Sequence, residues 1–129
     1  MQFRSEIKDF ILIVLWAISC LPSYCLQGDV GAHDPSSIIK CGNTYWIFTT
    51  GNGIYTMYSS DLIEWTAGPT PFTQNAWPEW ITIYVPDFQG HFWAPECVFM
   101  NEKYYLYYSC STWGVKTSAI GLATNRTLD

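Results

Sequence analysis

Two strand-like segments recur along the chain at an offset of about 60 residues, and this repeat limits the fold more than any other feature. Residues 45–50 and 104–109 are runs of aromatic and β-branched side chains, which pack well on a pleated sheet. A short apolar strand candidate precedes each run, at residues 37–39 and 97–99. Polar residues that include Gly or Asn join each pair, and both types tolerate the positive φ of a tight turn. The pattern predicts two hairpins.

A third strand also recurs, at residues 54–60 and 120–125. After the first copy, residues 61–65 predict a turn into a short fourth, outer strand, and residues 126–129 look like the start of the same turn. Each copy is then a four-stranded antiparallel unit, and radial repetition of such units is typical of β-propellers, which need about four blades or more. We therefore expect an all-β chain that holds one blade and most of a second, from a longer protein.

Residues 1–26 read as a targeting segment ahead of a propeller region at residues 27–129. Arg4 and Lys8 precede an unbroken apolar stretch whose length is typical of a signal-peptide core and short for a membrane span. Cleavage near Cys25 is one alternative, a lipoprotein site with the lipid on Cys20 is a second, and an uncleaved anchor is a third. We expect a secreted, periplasmic or cell-surface protein, with the membrane as a partner only through such an anchor.

The charge balance argues against nucleic acid as a partner. The net charge is −5, and only 13% of the residues are charged, about half of the usual share. Residues 27–129 offer four basic side chains, at Lys40, Lys103, Lys116 and Arg126, which is too few for a phosphate-binding stripe. The aromatic content of 18% fits a β protein with a sugar-binding surface or, equally, a β core rich in Tyr and Trp.

The cysteines predict neither a metal site nor a disulfide framework. Cys41, Cys97 and Cys110 form no Cys-x-x-Cys pair, which argues against zinc. Buried thiols are expected, with one disulfide as an alternative in an oxidising compartment.

The stretch between the two predicted blades, residues 68–90, contains four prolines together with Trp77, Trp80 and Tyr84. A structureless connection of this length is unusual and often functional. Its aromatic rings either stack on sugars or pin the loop to the first blade, and the sequence leaves both interpretations open.

Two acids precede the two predicted strand sets. Asp34 lies in the run 33–36 and Glu96 in the run 92–96. Paired carboxylates suit an inverting glycosidase, in which a base and an acid are roughly 6.5–9.5 Å apart and a third carboxylate raises the pKa of the acid. Because Asp34 precedes Pro35, we expect it to be extended. The alternatives are an ordinary turn residue for Asp34 and a solvated strand-edge acid for Glu96.

Together these motifs resemble glycoside hydrolase family 43, and within it the endo-α-1,5-L-arabinanases. The resemblance covers about residues 28–129. The segments that carry it are 33–36, 58–65, 92–96, 104–114 and 117–124.

The resemblance implies a five-bladed β-propeller that hydrolyses α-1,5-L-arabinofuranosidic bonds of plant arabinan with inversion, using three acids. Asp34 takes the place of the general base, and Glu96 that of the residue that tunes the pKa of the general acid. The family usually has Asp at the position of Glu96. The Glu96 side chain is one methylene longer, so its carboxylate must reach the same point from a different backbone setting. No residue matches the general acid, since Glu64, Glu79 and Glu102 lie in other contexts, and we expect the chain alone to be inactive.

Other site residues and alternatives complete these expectations. The predicted substrate-binding residues are His33, Trp77, Trp93, Ser111 and Trp113, with His33 either orienting Asp34 or lining the pocket. An exo-acting arabinofuranosidase or β-xylosidase is one alternative, and a non-catalytic sugar-binding pseudo-enzyme is another. We expect no cofactor in this chain, although the resemblance allows a calcium or halide ion on the axis of the full-length protein.

Overall fold

The computed structural model describes residues 25–73 and 76–129, which form two β-sheets and one short helix. Residues 1–24 of the predicted leader, including Cys20, lie outside the described residues. Within them, no helix is long and apolar enough to cross a membrane. The elements are β1 Gln27–Gly28, β2 Ile39–Cys41, β3 Thr44–Thr49, β4 Gly51–Asn52, β5 Tyr55–Ser59, β6 Glu64–Ala67, α1 Trp80–Tyr84, β7 His91–Met100, β8 Lys103–Ser111 and β9 Ser118–Asn125.

The first sheet has the strand order β1-β6-β5-β3-β2. Strands β2, β3, β5 and β6 pair antiparallel, so the predicted four-stranded unit is confirmed. The β2–β3 hairpin turns at Gly42, whose φ is +57°, a value that glycine adopts without a Cβ penalty. A fifth strand was not predicted: β1 pairs in parallel with β6, with the amide of Gln27 donating to the carbonyl of Ile63 at 2.9 Å.

The turn between β5 and β6 is held by one carboxylate. Oδ1 of Asp61 accepts hydrogen bonds from the amides of Ile63 and Glu64 at 2.8 and 2.9 Å and from the hydroxyl of Ser59 at 3.0 Å. These donors, the amides of Glu64 and Ile63 above all, hold the pKa of Asp61 below its ordinary value because they stabilise the ionised form. The predicted turn at residues 61–65 thus has a defined chemical cause.

The second sheet has the strand order β4-β7-β8-β9. The β7–β8 hairpin turns at Asn101 and Glu102, both with positive φ (48° and 60°), as a two-residue hairpin turn of the favoured hand requires. Strand β9 pairs with β8 along its whole length. Strand β4 comes directly after β3, so the segment that leaves the first sheet also forms an edge of the second.

Two strand boundaries differ from the prediction. The strand expected at residues 37–39 is displaced to Ile39–Cys41, and the one expected at residues 97–99 is the end of β7, which begins at His91. The register of β7 on β8 shifts between Trp93 and Glu96, where a β-bulge accommodates Pro95, a residue that cannot donate to the ladder. The bulge interrupts the sequence pattern, which is why the strand looked shorter.

The hydrophobic core lies between the two sheets. Alternate residues of β8, from Tyr104 to Cys110, are buried and meet Trp46 and Phe48 of β3. This period of two places one face of β8 toward the first sheet. Burial raises the pKa of Tyr108 to about 12, with a smaller contribution from Cys110. Among residues 25–73 and 76–129, the cysteines Cys25, Cys41, Cys97 and Cys110 are free thiols.

The stretch at residues 68–90 is not structureless, contrary to the prediction. It contains α1, and both Ile81 of this helix and Val85, the residue that follows it, are fully buried. Phe72 stacks on Phe92 with ring centroids 4.8 Å apart. These contacts hold the connection against the core between the sheets. Packing therefore orders the connection, although its prolines suggested an irregular loop.

Candidate active site

Asp34 lies on the segment that crosses the end of β3. The amide of Thr50 donates to the carbonyl of His33 at 2.9 Å, and the amide of Ser36 donates to the carbonyl of Phe48 at 2.8 Å. The position of Asp34 before Pro35 predicted an extended backbone. This prediction is wrong, since the φ of Asp34 is +46°. Aspartate tolerates this left-handed region better than most residues, and the flanking backbone bonds fix it there.

The Asp34 carboxylate is held through one of its two oxygens. Oδ2 accepts hydrogen bonds from Nδ1 of His33 at 2.9 Å and from Oγ1 of Thr50 at 3.0 Å. The side chain is 46% exposed and that of His33 is 75% exposed, so both can meet solvent and a ligand. The structure therefore brings the ring of His33 into contact with the carboxylate of Asp34.

Thr50 also connects the two sheets. Its Oγ1 accepts a hydrogen bond from the amide of Ala94 at 2.9 Å. Ala94 precedes Pro95 within the bulge of β7 and has a φ of +42°, close to the +46° of Asp34 before Pro35. The two predicted motifs thus share a left-handed residue before proline, and one hydroxyl touches both of them.

Glu96 contacts the other side of the same junction. Its Oε2 accepts a hydrogen bond from the amide of Ser37 at 3.2 Å, and Oγ of Ser37 lies 3.5 Å from that oxygen. The Glu96 side chain is half-buried, and its charge adds to the burial that raises the pKa of Cys97 to about 12. Ser37, whose amide donates to Glu96, lies three residues after Asp34. Ala94, two residues before Glu96, donates to the Thr50 hydroxyl that donates to Asp34.

An aromatic wall continues from Glu96 along β7. The indole rings of Trp93 and Trp113 stack, with centroids 5.1 Å apart and planes at 17°. His91 lies beside them, with its ring centroid 6.1 Å from that of Trp93. Asp87, Gln89, His91, Thr112 and Trp113 line an adjacent cavity of about 240 Å³. Aromatic faces beside polar groups are what a sugar ring requires, since its C–H face packs on the π system.

Trp77 and Ser111 occupy different settings from this wall. Trp77 packs edge-on against Phe88, with centroids 5.1 Å apart, and its ring approaches Gly90 so closely that a Cβ there would lie 3.2 Å away. In this structure Trp77 thus packs against residues of the same connection. Ser111 ends β8, pairs with Ser118, and lies two residues before Trp113.

A larger cavity, of about 300 Å³, lies between the sheets and is lined mainly by apolar residues such as Phe48, Phe72, Tyr104 and Leu106. It contains none of the predicted site residues, so we place the candidate site at the Asp34–Glu96 junction, where the acids and the exposed aromatic rings are. Within the part of the chain that the structure describes, no three His, Cys, Asp or Glu side chains cluster as a metal site.

Thr50 and Ser37 are site residues that the sequence did not reveal. Ser37 is the first residue of the strand predicted at residues 37–39, Thr50 is the last residue of the one predicted at residues 45–50, and neither belongs to a recognisable motif. Their roles depend on the approach of β7 to the end of β3, which is a contact between distant parts of the chain. The only available signal was the position of Thr50 at the end of a strand, where side chains often face a cleft.

The described residues form an all-β fold with two acids at the junction of its sheets, and comparison with known proteins identifies the family. The family model described as Glycosyl hydrolases family 43 matches residues 29–129. The chain belongs to this family, and the prediction from the sequence motifs is confirmed.

The names of two similar curated proteins both refer to α-(1→5)-L-arabinose linkages. The chain is 37% identical over 113 residues to an extracellular exo-α-(1→5)-L-arabinofuranosidase of Cellvibrio japonicus, covering 88% of this chain and 32% of that protein. It is 39% identical over 100 residues to an extracellular endo-α-(1→5)-L-arabinanase of Bacillus subtilis, covering 74% and 30%. The chain therefore spans about a third of the length of the curated relatives that it matches.

Solved structures agree with these relatives. The chain superposes on a family 43 endo-arabinanase of Bacillus licheniformis with a TM-score of 0.71 and 41% identity, covering 82% of this chain and 36% of that one. It superposes on an α-L-arabinanase of Cellvibrio cellulosa complexed with arabinohexaose with a TM-score of 0.70 and 38% identity, covering 79% and 31%. The two sheets thus have the arrangement found in arabinanases of this family.

Proposed function

We propose that the Asp34–Glu96 junction is the general-base side of an active site that hydrolyses α-1,5-linked L-arabinan with inversion. The single observation that carries the proposal is the exposed Asp34 carboxylate, held by His33 and Thr50 beside the Trp93–Trp113 wall. The names of relatives with 37–39% identity supply the substrate class.

The chemistry assigned to Asp34 is proton removal from water. In an inverting hydrolysis the water oxygen bonds to the anomeric carbon on the face opposite the leaving group, while the glycosidic C–O bond breaks. Asp34 accepts the proton that the water loses, and the leaving oxygen takes a proton from a carboxylic acid supplied elsewhere in the protein.

Glu96 has two compatible roles in this proposal. A carboxylate near the general acid raises the pKa of that acid and keeps it protonated. The bond of Glu96 to the amide of Ser37 also holds the second sheet against the segment that carries Asp34. The first role follows from the family resemblance, whereas the second is supported by the contact itself.

We further propose that the two sheets are the first two blades of a five-bladed propeller, and that the acid missing from this chain comes from a later blade. The support is the superposition on longer arabinanases, of which the chain covers 31–36%. We also propose that the full-length protein can hold a calcium or halide ion on the propeller axis. No step of the reaction is assigned to such an ion.

Secretion is the proposed destination, since both curated relatives are named as extracellular. Whether the protein is soluble outside the cell, periplasmic or held by a lipid on Cys20 is a finer proposal, testable by mass spectrometry of the mature N-terminus. A lipid anchor predicts a modified Cys20 as the first residue, and ordinary processing predicts a cut near Cys25.

The test compares Asp34→Asn with Glu102→Gln in the complete polypeptide that carries these residues. Asn keeps the size of Asp34 but cannot take a proton, so the release of reducing ends from linear 1,5-arabinan should fall about 10²- to 10⁴-fold. Glu102 lies at the exposed tip of the β7–β8 hairpin, and its variant should keep the wild-type rate. Proton NMR of the first product should show the inverted anomer.

Other outcomes separate the alternatives. Release of arabinose alone from the chain ends indicates the exo-acting alternative, which the name of the Cellvibrio relative favours. Cleavage of an aryl β-xyloside but not of arabinan indicates a β-xylosidase. Binding of arabino-oligosaccharides without hydrolysis by any preparation indicates a pseudo-enzyme. Wild-type activity in Asp34→Asn contradicts the base assignment.

A further inference from the structure

We infer that Thr50 is a positioning residue that fixes Oδ2 of Asp34 and so leaves Oδ1 as the oxygen that takes the proton from water. The inference rests on the proposed function of Asp34 and deepens it. It follows from one side chain with two hydrogen bonds, to Asp34 at 3.0 Å and to Ala94 at 2.9 Å.

The direction of both bonds is set by chemistry. A backbone amide can only donate, so the N–H of Ala94 fills an acceptor site on Oγ1 of Thr50. An ionised carboxylate can only accept, so the single hydroxyl proton of Thr50 goes to Oδ2 of Asp34. The same rule makes Nδ1 of His33 the protonated nitrogen in its bond to Oδ2. The amide of Ala94 therefore orients the hydroxyl that orients the base.

The two donors converge on one oxygen. Within residues 25–73 and 76–129, the hydrogen bonds to this carboxylate all end on Oδ2. Oδ1 keeps its lone pairs for solvent, and the side chain is 46% exposed. Because Oδ2 is fixed at two points, rotation of the carboxylate is restricted and Oδ1 has a defined direction. A base in an inverting enzyme needs this, since the water must lie in line with the bond that breaks.

The backbone around Thr50 reinforces the arrangement. The amide of Thr50 donates a hydrogen bond to the carbonyl of His33. Its hydroxyl donates to the side chain of Asp34, the residue after His33. Asp34 and Ala94 both adopt positive φ, a conformation that is unfavourable for a non-glycine residue and persists only where the surroundings enforce it. Thr50 contacts both of these residues, which is the placement expected of a residue that maintains strained geometry for a function.

The kinetic test uses Thr50→Val and Thr50→Ser in the complete polypeptide, with Thr82→Val as the matched control. Valine keeps the shape of threonine and loses the hydroxyl, whereas serine keeps the hydroxyl. Thr82 makes a comparable bond to the carbonyl of Glu79 on α1, away from the acids. On linear arabinan, Thr50→Val should lose about 10- to 100-fold in kcat with KM within about twofold of wild type, and Thr50→Ser should recover most of the rate.

Three results would overturn the inference: a wild-type kcat in Thr50→Val, a Thr50→Ser variant as slow as Thr50→Val, or a loss carried entirely by KM. A purely structural tie between the sheets would instead lower the melting temperature without the split between kcat and KM.

A crystal structure of Thr50→Val tests the inference without any activity. The Asp34 carboxylate should rotate away from the position it has in wild type, and an unmoved Oδ2 would refute the positioning role. If the wild-type protein hydrolyses no arabinan, the proposed function fails, while this structural comparison still decides whether Thr50 positions Asp34.

Discussion

The indole ring of Trp113 covers that of Trp93, with the two planes only 17° apart and the centroids separated by 5.1 Å. Trp113 is 72% exposed, whereas Trp93 is half-buried in β7. The hydroxyl of Thr112 donates to the carbonyl of Pro86 and fastens the loop that carries Trp113. The outer face of Trp113 is thus a fixed, solvent-facing platform beside the candidate site.

Replacement of this platform should weaken sugar binding. We expect Trp113→Ala to raise the dissociation constant for arabino-oligosaccharides about tenfold, because a stacking contact of about 1.4 kcal/mol is lost. Isothermal titration calorimetry measures the change. Phe99→Ala is the matched control, since Phe99 is a 54% exposed aromatic residue near the opposite end of β7. Equal losses in the two variants would show that Trp113 has no specific part in binding.

Two substitutions of Glu96 separate its proposed roles. Glu96→Gln removes the charge but keeps an oxygen that can accept from the amide of Ser37. If the charge tunes the general acid, that acid loses its proton more readily in Glu96→Gln, and the alkaline limb of the pH–rate profile moves to lower pH. Glu96→Ala also removes the bond to Ser37 and should lower the free energy of unfolding by about 1 kcal/mol more, measured in urea. An unchanged pH–rate profile in Glu96→Gln would show that the charge of Glu96 does not tune the general acid. The bond to Ser37 would then be its remaining role.

Gly53 should be the least replaceable of three glycines. Its φ is +79°, and an added Cβ would lie 1.9 Å from the carbonyl oxygen of Phe72, so Gly53→Ala should lower the free energy of unfolding by about 3 kcal/mol. Gly42 has a φ of +57° but open space, so its alanine variant should lose about 1 kcal/mol. Gly31 has neither constraint, and Gly31→Ala should change stability by less than about 0.5 kcal/mol. Urea unfolding measures all three, and a different order would contradict the steric argument.

The buried thiols should resist alkylation in the folded protein. Burial raises the pKa of Cys97 to about 12, so at pH 9 only about a thousandth of this thiol is ionised, against about half of an ordinary thiol. Burial also raises the pKa of Cys110. With iodoacetamide at pH 9, peptide mapping should find exposed Cys25 modified first and both buried thiols modified only in urea. Rapid labelling of Cys97 without urea would contradict its burial.

The raised pKa of Cys97 also determines whether alkaline pH increases or decreases the stability of the fold. The unfolded chain loses the Cys97 proton near pH 9, whereas the folded chain keeps it to about pH 12. The contribution of this group to stability is therefore complete below pH 9 and is lost as the pH rises toward 12. The urea midpoint should fall across this interval.

Local chemistry explains which parts of the fold were predictable. Gly42 in the first hairpin turn and Asn101 in the second are residue types that tolerate positive φ, so both turns were predictable. The runs of aromatic and β-branched residues beside these turns predicted the strands. The helix α1 was missed because it has only five residues and lies among prolines. The parallel strand β1 was missed because two residues carry too little pattern.

The candidate site was predictable only as far as its motifs. Asp34 and Glu96 were found from their neighbours in sequence, and the structure places them at one junction. Thr50 was not found, because its role depends on a contact with Ala94, 44 residues away along the chain. The φ of Asp34 was predicted wrongly, since a rule about the following proline was applied without the hydrogen bonds from the end of β3.

The left-handed residue before proline, Asp34 in one motif and Ala94 in the other, shows how one kind of backbone bend can present two different groups. The φ values of the two residues are nearly equal, +46° and +42°. At the first bend the side chain is a carboxylate that accepts from the Thr50 hydroxyl, and at the second bend the backbone amide donates to that same hydroxyl. A single threonine side chain therefore links the two bends.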